Sequence, residues 1–329
     1  MQKIIVKKEN SGIRLDKFLV STFSKASADK QEFFSPRKIA LQSRGKYSRG
    51  EIIRNINEGS ILVNGEKIKP SYAIKTNDIV RINFKTALEK LVSNKEVDFE
   101  IIYSDENFII INKPTGLKVH PNSFAEVNTL ANGLIAKFPE IESINDGSKD
   151  SKLRPGIVHR LDQETSGIMV IARNQKSFID LKKLFQTRKI SKKYIALVLG
   201  KFKEKKGIIE KSLARAGTYR KQSIAVRKTQ TKIRPAITEY EVIKEFPNFS
   251  LVEAKPKTGR THQIRIHLFS LGNPVAGDKL YKLKKIPKIG LPKRQLLHAK
   301  KLGFELFGKK YAFSADLPKD FENFLENLK

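Results

Sequence analysis

Two periodicities share this chain, and the change between them marks its organisation. Positions 3–7 alternate apolar and polar as a short strand, and Ser11-Gly12 turns the chain into an amphipathic helix over 14–23. Ser48-Arg49-Gly50-Glu51 reads as a capping box opening a second helix, which runs through Asn57 and stops at Gly59. Ile61-Leu62-Val63 and Lys67-Ile68-Lys69 flank Asn64-Gly65, a hairpin turn, and 79–84 alternates again. From residue 99 onward the texture is richer in strands. Apolar runs fall at 99–103, 108–111, 157–158, 168–172, 191–200 and 295–304, with 240–243 and 250–254 as a hairpin pair. Helical spacing appears at 129–138, at 175–186 with Phe178, Leu181, Leu184 and Phe185 on one face, and at 318–328. A further helix is expected from a cap at Thr261 to about Ser270, with Ile264, Leu268 and Leu271 as its core stripe.

These elements divide the chain. Residues 1–85 form a small α/β domain interrupted at 24–47 by a Ser-, Lys- and Gln-rich insertion, 86–97 is a charged linker, and 98–329 is a larger domain.

Charge narrows the class of partner. Lys and Arg number 65 against 34 Asp and Glu, a formal net charge of +31, which costs self-repulsion unless a polyanion offsets it. Nucleic acid is the first candidate and an anionic membrane surface the second. No apolar run approaches a spanning helix, and Met-Gln-Lys-Ile-Ile-Val-Lys-Lys is too short and charged for a secretory leader. The absence of cysteine removes disulfides, thiolate nucleophiles and zinc–thiolate sites, and suits a cytoplasmic protein. Five histidines without metal-ligand spacing, and no glycine-rich phosphate loop, point to chemistry without metal or cofactor.

The stretch with most chemistry is 154–174, Arg-Pro-Gly-Ile-Val-His-Arg-Leu-Asp-Gln-Glu-Thr-Ser-Gly-Ile-Met-Val-Ile-Ala-Arg-Asn. Between two apolar runs, read as buried strands, sits one carboxylate, Asp162, with His159 and Arg160 just before it. An acid there most often caps a helix or closes a turn. Unpaired, it would be costly. A kinase catalytic loop does not fit, because Leu161 separates His-Arg from Asp, no Asn follows at the metal-binding offset, and no Asp-Phe-Gly occurs. Arg265, beside the stripe of the helix near 261–270, needs an acid as Asp162 needs a cation. Pairing them would compensate the carboxylate's charge and fix its rotamer.

His-Arg-Leu-Asp-x-x-Thr-Ser-Gly followed by an apolar strand resembles the signature of the RluA family of pseudouridine synthases. Three further stretches resemble that family in order: Ile101 to Pro121 with Asn-Lys-Pro-Thr-Gly-Leu, the Tyr194 strand, and Thr-Gly-Arg-Thr-His-Gln-Ile-Arg ending at Arg265. Arg-Leu-Asp-x-Phe-Leu near Arg14, with Ser48-Arg49 and Ile61-Leu62-Val63-Asn64-Gly65, resembles the S-four-like RNA-binding domain. The resemblance implies an α+β catalytic domain on a mixed, mostly antiparallel sheet. It implies Asp162 as nucleophile, Tyr194 as the ring that stacks on uracil, and Arg265 as the group that orients Asp162. Arg160 would fill the space left by a flipped uridine, and His159 and Arg260 join it as RNA contacts. Arg14, Lys17, Arg49, Arg54 and Lys67 would present a basic face to RNA. Large-subunit ribosomal RNA is the expected substrate, with transfer RNA as the alternative, and a monomer the expected state. A non-catalytic RNA-binding or ribosome-assembly factor on the same fold is the rival, and a two-carboxylate hydrolase using Glu164 is a weaker one.

Overall fold

A computed structural model describes residues 2–25, 48–83, 90–148, 150–216, 221–226, 231–283 and 290–328, so most of the 24–47 insertion lies outside the described residues. The chain divides into two units, 1–87 and 88–329.

In the first unit, β1 (Gln2–Ile5) precedes α1 (Leu15–Lys25), α2 (Arg49–Glu58), β2 (Ile61–Val63) and β3 (Ile79–Ile82). Leu15, Phe18 and Leu19 of α1 and Ile52 and Ile56 of α2 recur at helical spacing and are buried together with Val63 and Val80. The capping box forms, with the Ser48 hydroxyl accepting the Glu51 amide and the Glu51 carboxylate accepting the Ser48 amide. Asp16, fully buried in the first turn of α1, takes Arg14 at 3.0 Å and Arg49 at 2.7 Å and so fastens α2 to α1. The expected hairpin is only partly made. Asn64 and Gly65 turn the chain in left-handed conformations and Val63 bridges Glu66, but 67–69 do not continue as a strand. The partner of β2 is β3, and the order is β1-β3-β2. Buried Asp78 explains the choice. It accepts hydrogen bonds from Asn64, Tyr72 and the Lys75 amide, which ties the turn to the start of β3.

The second unit holds β4 (Glu100–Ser104), β5 (Phe108–Lys113), α3 (Leu130–Lys137), β6 (Ser166–Ala172) and α4 (Gln175–Gln186). They are followed by β7 (Ser191–Leu199), β8 (Lys206–Glu210), β9 (Leu213–Arg215) and β10 (Gln222–Ile224). Last come β11 (Ile237–Glu245), β12 (Phe249–Pro256), α5 (Gln263–Phe269), β13 (Leu297–Leu306), β14 (Lys309–Ser314) and α6 (Lys319–Glu326). The main sheet runs β4-β5-β6-β13-β7-β12-β11-β8, with β14 also paired to β13. Every pairing is antiparallel except β6 with β13, so the fold is α+β on a mixed, mostly antiparallel sheet. The near-continuous apolar runs of β5 and β6 are buried on both faces, as a central strand requires. Leu91 and Val97, from the segment expected to link the domains, are buried in this unit's core.

Three expectations change. The run at 157–158 makes a single bridge, Ile157 to Ile171, rather than a strand. The 261–270 helix is shorter, starting at Gln263 behind a left-handed His262 rather than a Thr261 cap, and Leu271 is 39% exposed beyond its end. Residues 309–314 form β14, which was not expected; its burial alternates between half-buried and exposed, a weak apolar signal.

One glycine sets the sheet's central contact. Gly167 has φ +117°, and a Cβ there would lie 2.4 Å from the Ala299 carbonyl oxygen, so only glycine lets β6 approach β13 in parallel. That contact fixes the strand which begins four residues after Asp162.

Candidate active site

The loop before β6 carries Asp162 and is stapled to the turn after β5. Gly116 donates its amide to the Gln163 carbonyl at 2.9 Å, Gln163 returns a side-chain hydrogen bond at 3.0 Å, and the Thr115 hydroxyl reaches the Glu164 carbonyl. Lys113, wholly buried, donates to the carbonyls of Pro114, Leu117 and Gln163. Burial lowers its pKa to about 7, while the Asp162 charge opposes that. Sequence reasoning gave Lys113 no part.

His159 and Arg160 part company. The His159 ring accepts the Val170 amide at 3.0 Å and stacks on Phe185 at 4.5 Å, which holds the motif against β6. Burial takes its pKa down to about 3, so the ring stays neutral. Arg160 is exposed, with Nη1 3.0 Å from the His120 Nε2. Arginine only donates, so His120 accepts through Nε2.

Arg265, in the first turn of α5, closes the site from the other side. Its Nε and Nη2 grip Asp278 at 2.7 and 2.9 Å, and Nη1 reaches Asp162 Oδ2 at 2.8 Å. Burial by itself would loosen the guanidinium's proton, but the Asp278 and Asp162 carboxylates outweigh it and raise the pKa. The two acids differ in access. The Asp278 side chain is fully buried and also accepts the Leu280 and Tyr281 amides, whereas Asp162 keeps 20% of its side-chain surface. Only Asp162 is free to meet another molecule.

A further group faces it. Tyr281 accepts the Gln222 amide, so its own proton goes to His262 Nδ1, 2.9 Å away. Neutral His262 then carries its hydrogen on Nε2, 3.9 Å from Asp162 Oδ1. Burial, opposed by the Asp162 charge, lowers the ring's pKa and keeps it neutral. His262 holds a left-handed φ of 57°, the kind of local strain found where a side chain must be aimed.

Asp162, Arg265, His262 and Tyr194 line one cavity of about 570 Å³. Tyr194 sits on β7 between Ala254 of β12 and Ala299 of β13, small neighbours that leave its ring room. Burial, then the Asp162 charge, raises its hydroxyl pKa, so it stays protonated. Arg160 and Arg260 also line this cavity. Arg14, Lys17, Arg49, Arg54 and Lys67 belong to the first unit. There Arg14 and Arg49 hold Asp16 while keeping about half their surface, and the other three are exposed.

Asp278, His262, Lys113 and Lys192 were not foreseen as site residues. Asp278 follows the run Asn273-Pro274-Val275-Ala276-Gly277 and lies in a loop with no periodicity to mark it as buried. Among the described residues no group of acids and histidines is arranged to hold a metal. None of their helices is long and apolar enough to cross a membrane.

A carboxylate gripped by a buried arginine, opening beside a tyrosine in one cavity, is an arrangement that can support covalent chemistry on a flat ring. The RNA pseudouridylate synthase model matches residues 107–270, and the S4 domain model matches 38–80. An RNA pseudouridine synthase of Bacillus subtilis (strain 168) is 32% identical over 99% of this chain and 97% of its own length. A ribosomal large subunit pseudouridine synthase D of Borreliella burgdorferi is 35% identical over 86% of each chain. The solved human RNA pseudouridylate synthase domain containing 4 superposes with a TM-score of 0.56 at 27% identity, covering 70% of this chain and 92% of its own. The chain belongs to the RNA pseudouridylate synthase family, with an S4 domain ahead of the catalytic unit.

Proposed function

We propose that this protein converts uridine to pseudouridine in large-subunit ribosomal RNA, with Asp162 as nucleophile and no cofactor. One observation carries the reading: of the two acids on Arg265, only Asp162 opens onto the cavity that Tyr194 lines.

The reaction breaks the N1–C1′ bond, turns the base, and joins C5 to C1′; the proton lost from C5 is matched by one gained at N1. Nothing is oxidised or reduced and no phosphate moves, so a carboxylate, a stacking surface and an oriented cation suffice. Arg265 engages Oδ2 of Asp162 and leaves Oδ1 for attack, at C1′ or at the base C6. Asp278 keeps Arg265 from turning away. Tyr194 offers its face to the flipped base, and Arg160, exposed at the cavity, enters the stack that the base leaves. Four relatives are named ribosomal large subunit pseudouridine synthases, which supports that substrate and with it a cytoplasmic site of action.

The test is to map pseudouridines in ribosomal and transfer RNA from cells with and without this protein. Loss confined to large-subunit ribosomal RNA is expected. Loss in transfer RNA alone would replace the substrate, and an unchanged map would overturn the reading.

A further inference from the structure

Two residues before Tyr194 on β7 stands Lys192, on the same face of the strand because side chains at i and i+2 share a face. It is half-buried in the wall of the same cavity. Its ammonium has three hydrogens and, among the described residues, a single hydrogen bond, a long one of 3.3 Å to the Thr258 carbonyl. Among the described residues no carboxylate comes within ion-pair distance of it. Adjacent Lys193 takes Glu253, and Lys182, also on the cavity, takes Asp146.

Lys113 shows what a structural buried lysine looks like here, with three carbonyls around its ammonium. Lys192 has no such cage. Burial lowers its pKa to about 8, so placing it there costs free energy that nothing nearby returns. Arg188 and Arg260 line the same cavity. Burial, and then the charges of Arg234 and Arg188, lower the Arg260 pKa, so these cations lie within each other's fields. The acid on the cavity, Asp162, is already held by Arg265, so among the described residues these like charges are left to be relieved by an anion that arrives from outside.

We propose that Lys192, with Arg188 and Arg260, forms a phosphate subsite, and that the Lys192 ammonium holds the phosphate flanking the uridine that lies against Tyr194. The proposal rests on the reading that Asp162 and Tyr194 act on a flipped uridine, and adds where that nucleotide's backbone is gripped. Two residues of strand rise about 6.6 Å, which suits the reach from a stacked base to its own phosphate. A compact ammonium serves as a point charge for one phosphate oxygen. Among the described residues the cavity's acid, Asp162, is held by Arg265, and the other groups around Lys192 add no second one. They are neutral His159 from the motif loop, protonated Tyr194 on the same strand, Thr258 and Arg260 after β12, and Arg188 after α4; Leu302 lies opposite on β13.

The test uses the full chain as wild type, Lys192→Arg, Lys192→Met and Asp162→Asn. Pseudouridine formation at subsaturating RNA is followed from pH 6.5 to 9.5, and RNA affinity across salt. The free enzyme's kcat/KM reports groups that must be charged to bind. It should fall in wild type as pH rises through about 8, where Lys192 gives up its proton. Lys192→Arg should move that alkaline limb upward. Lys192→Met should lower kcat/KM at pH 7 by roughly tenfold and reduce the salt slope by about one contact. An unchanged salt slope in Lys192→Met, or an unmoved limb in Lys192→Arg, would overturn the subsite; should the methionine variant fail to fold, the arginine limb still decides. Full activity in Asp162→Asn would instead overturn the reading beneath it.

Discussion

At the scale of single residues the site is a chain of charge compensation. Asp278 is buried and holds Arg265 by two hydrogen bonds, and Arg265 in turn holds the more open Asp162. Removing the far acid should therefore be felt at the near one. Asp278→Asn leaves a buried guanidinium with one carboxylate, which should cost about 3 kcal/mol, seen as a lower melting temperature. It should also slow pseudouridine formation by at least roughly tenfold, because Asp162 loses its fixed rotamer. A variant with wild-type melting and wild-type rate would show that Asp278 is not the anchor. The sequence let Asp162 and Arg265 be paired because each was an ion beside an apolar run, needing the other. Asp278 and His262 escaped for physical reasons: one lies in an aperiodic loop, and the other is aimed by a left-handed backbone that no side-chain pattern announces.

Among the elements, strongly periodic ones were legible and contact-determined ones were not. The α4 helix has the bounds its apolar face predicted. The 67–69 strand failed because Asp78 draws the Asn64 turn toward β3, a contact between residues 14 apart that local spacing does not encode. Asp16 gives the small unit a testable pH dependence. Hydrogen bonding to Arg14, with Arg49 adding to it against the effect of burial, lowers its pKa from 3.8 to about 2. A carboxylate with a lowered folded pKa stabilises fully above its unfolded value and loses that contribution as pH falls toward the folded one. Amide exchange in α1 and α2, corrected for intrinsic rates, should therefore quicken between pH 4 and pH 2. Asp16→Asn should be less protected at pH 6 and show little of that dependence. Equal protection in both proteins would remove Asp16 as the clasp.

For the whole molecule, the excess charge of +31 was the plainest statement in the sequence, and the structure shows how part of it is deployed. Many lysines and arginines are matched to acids, Lys182, Lys257 and Arg265 on the cavity included, whereas four others on the cavity, Arg160, Arg188, Lys192 and Arg260, have no acid within ion-pair distance among the described residues. A binding factor on this fold would need the outer basic surface but not an acid held open by a buried arginine. The most direct test compares purified wild type with Asp162→Asn, matched for folding by circular dichroism, for pseudouridine formed per large-subunit ribosomal RNA. The account predicts conversion by wild type and a loss of at least about 1,000-fold in the variant, with RNA affinity kept within a few fold. A variant that still modifies RNA at a tenth of the wild-type rate, or a wild type that binds RNA and forms no pseudouridine, would contradict it.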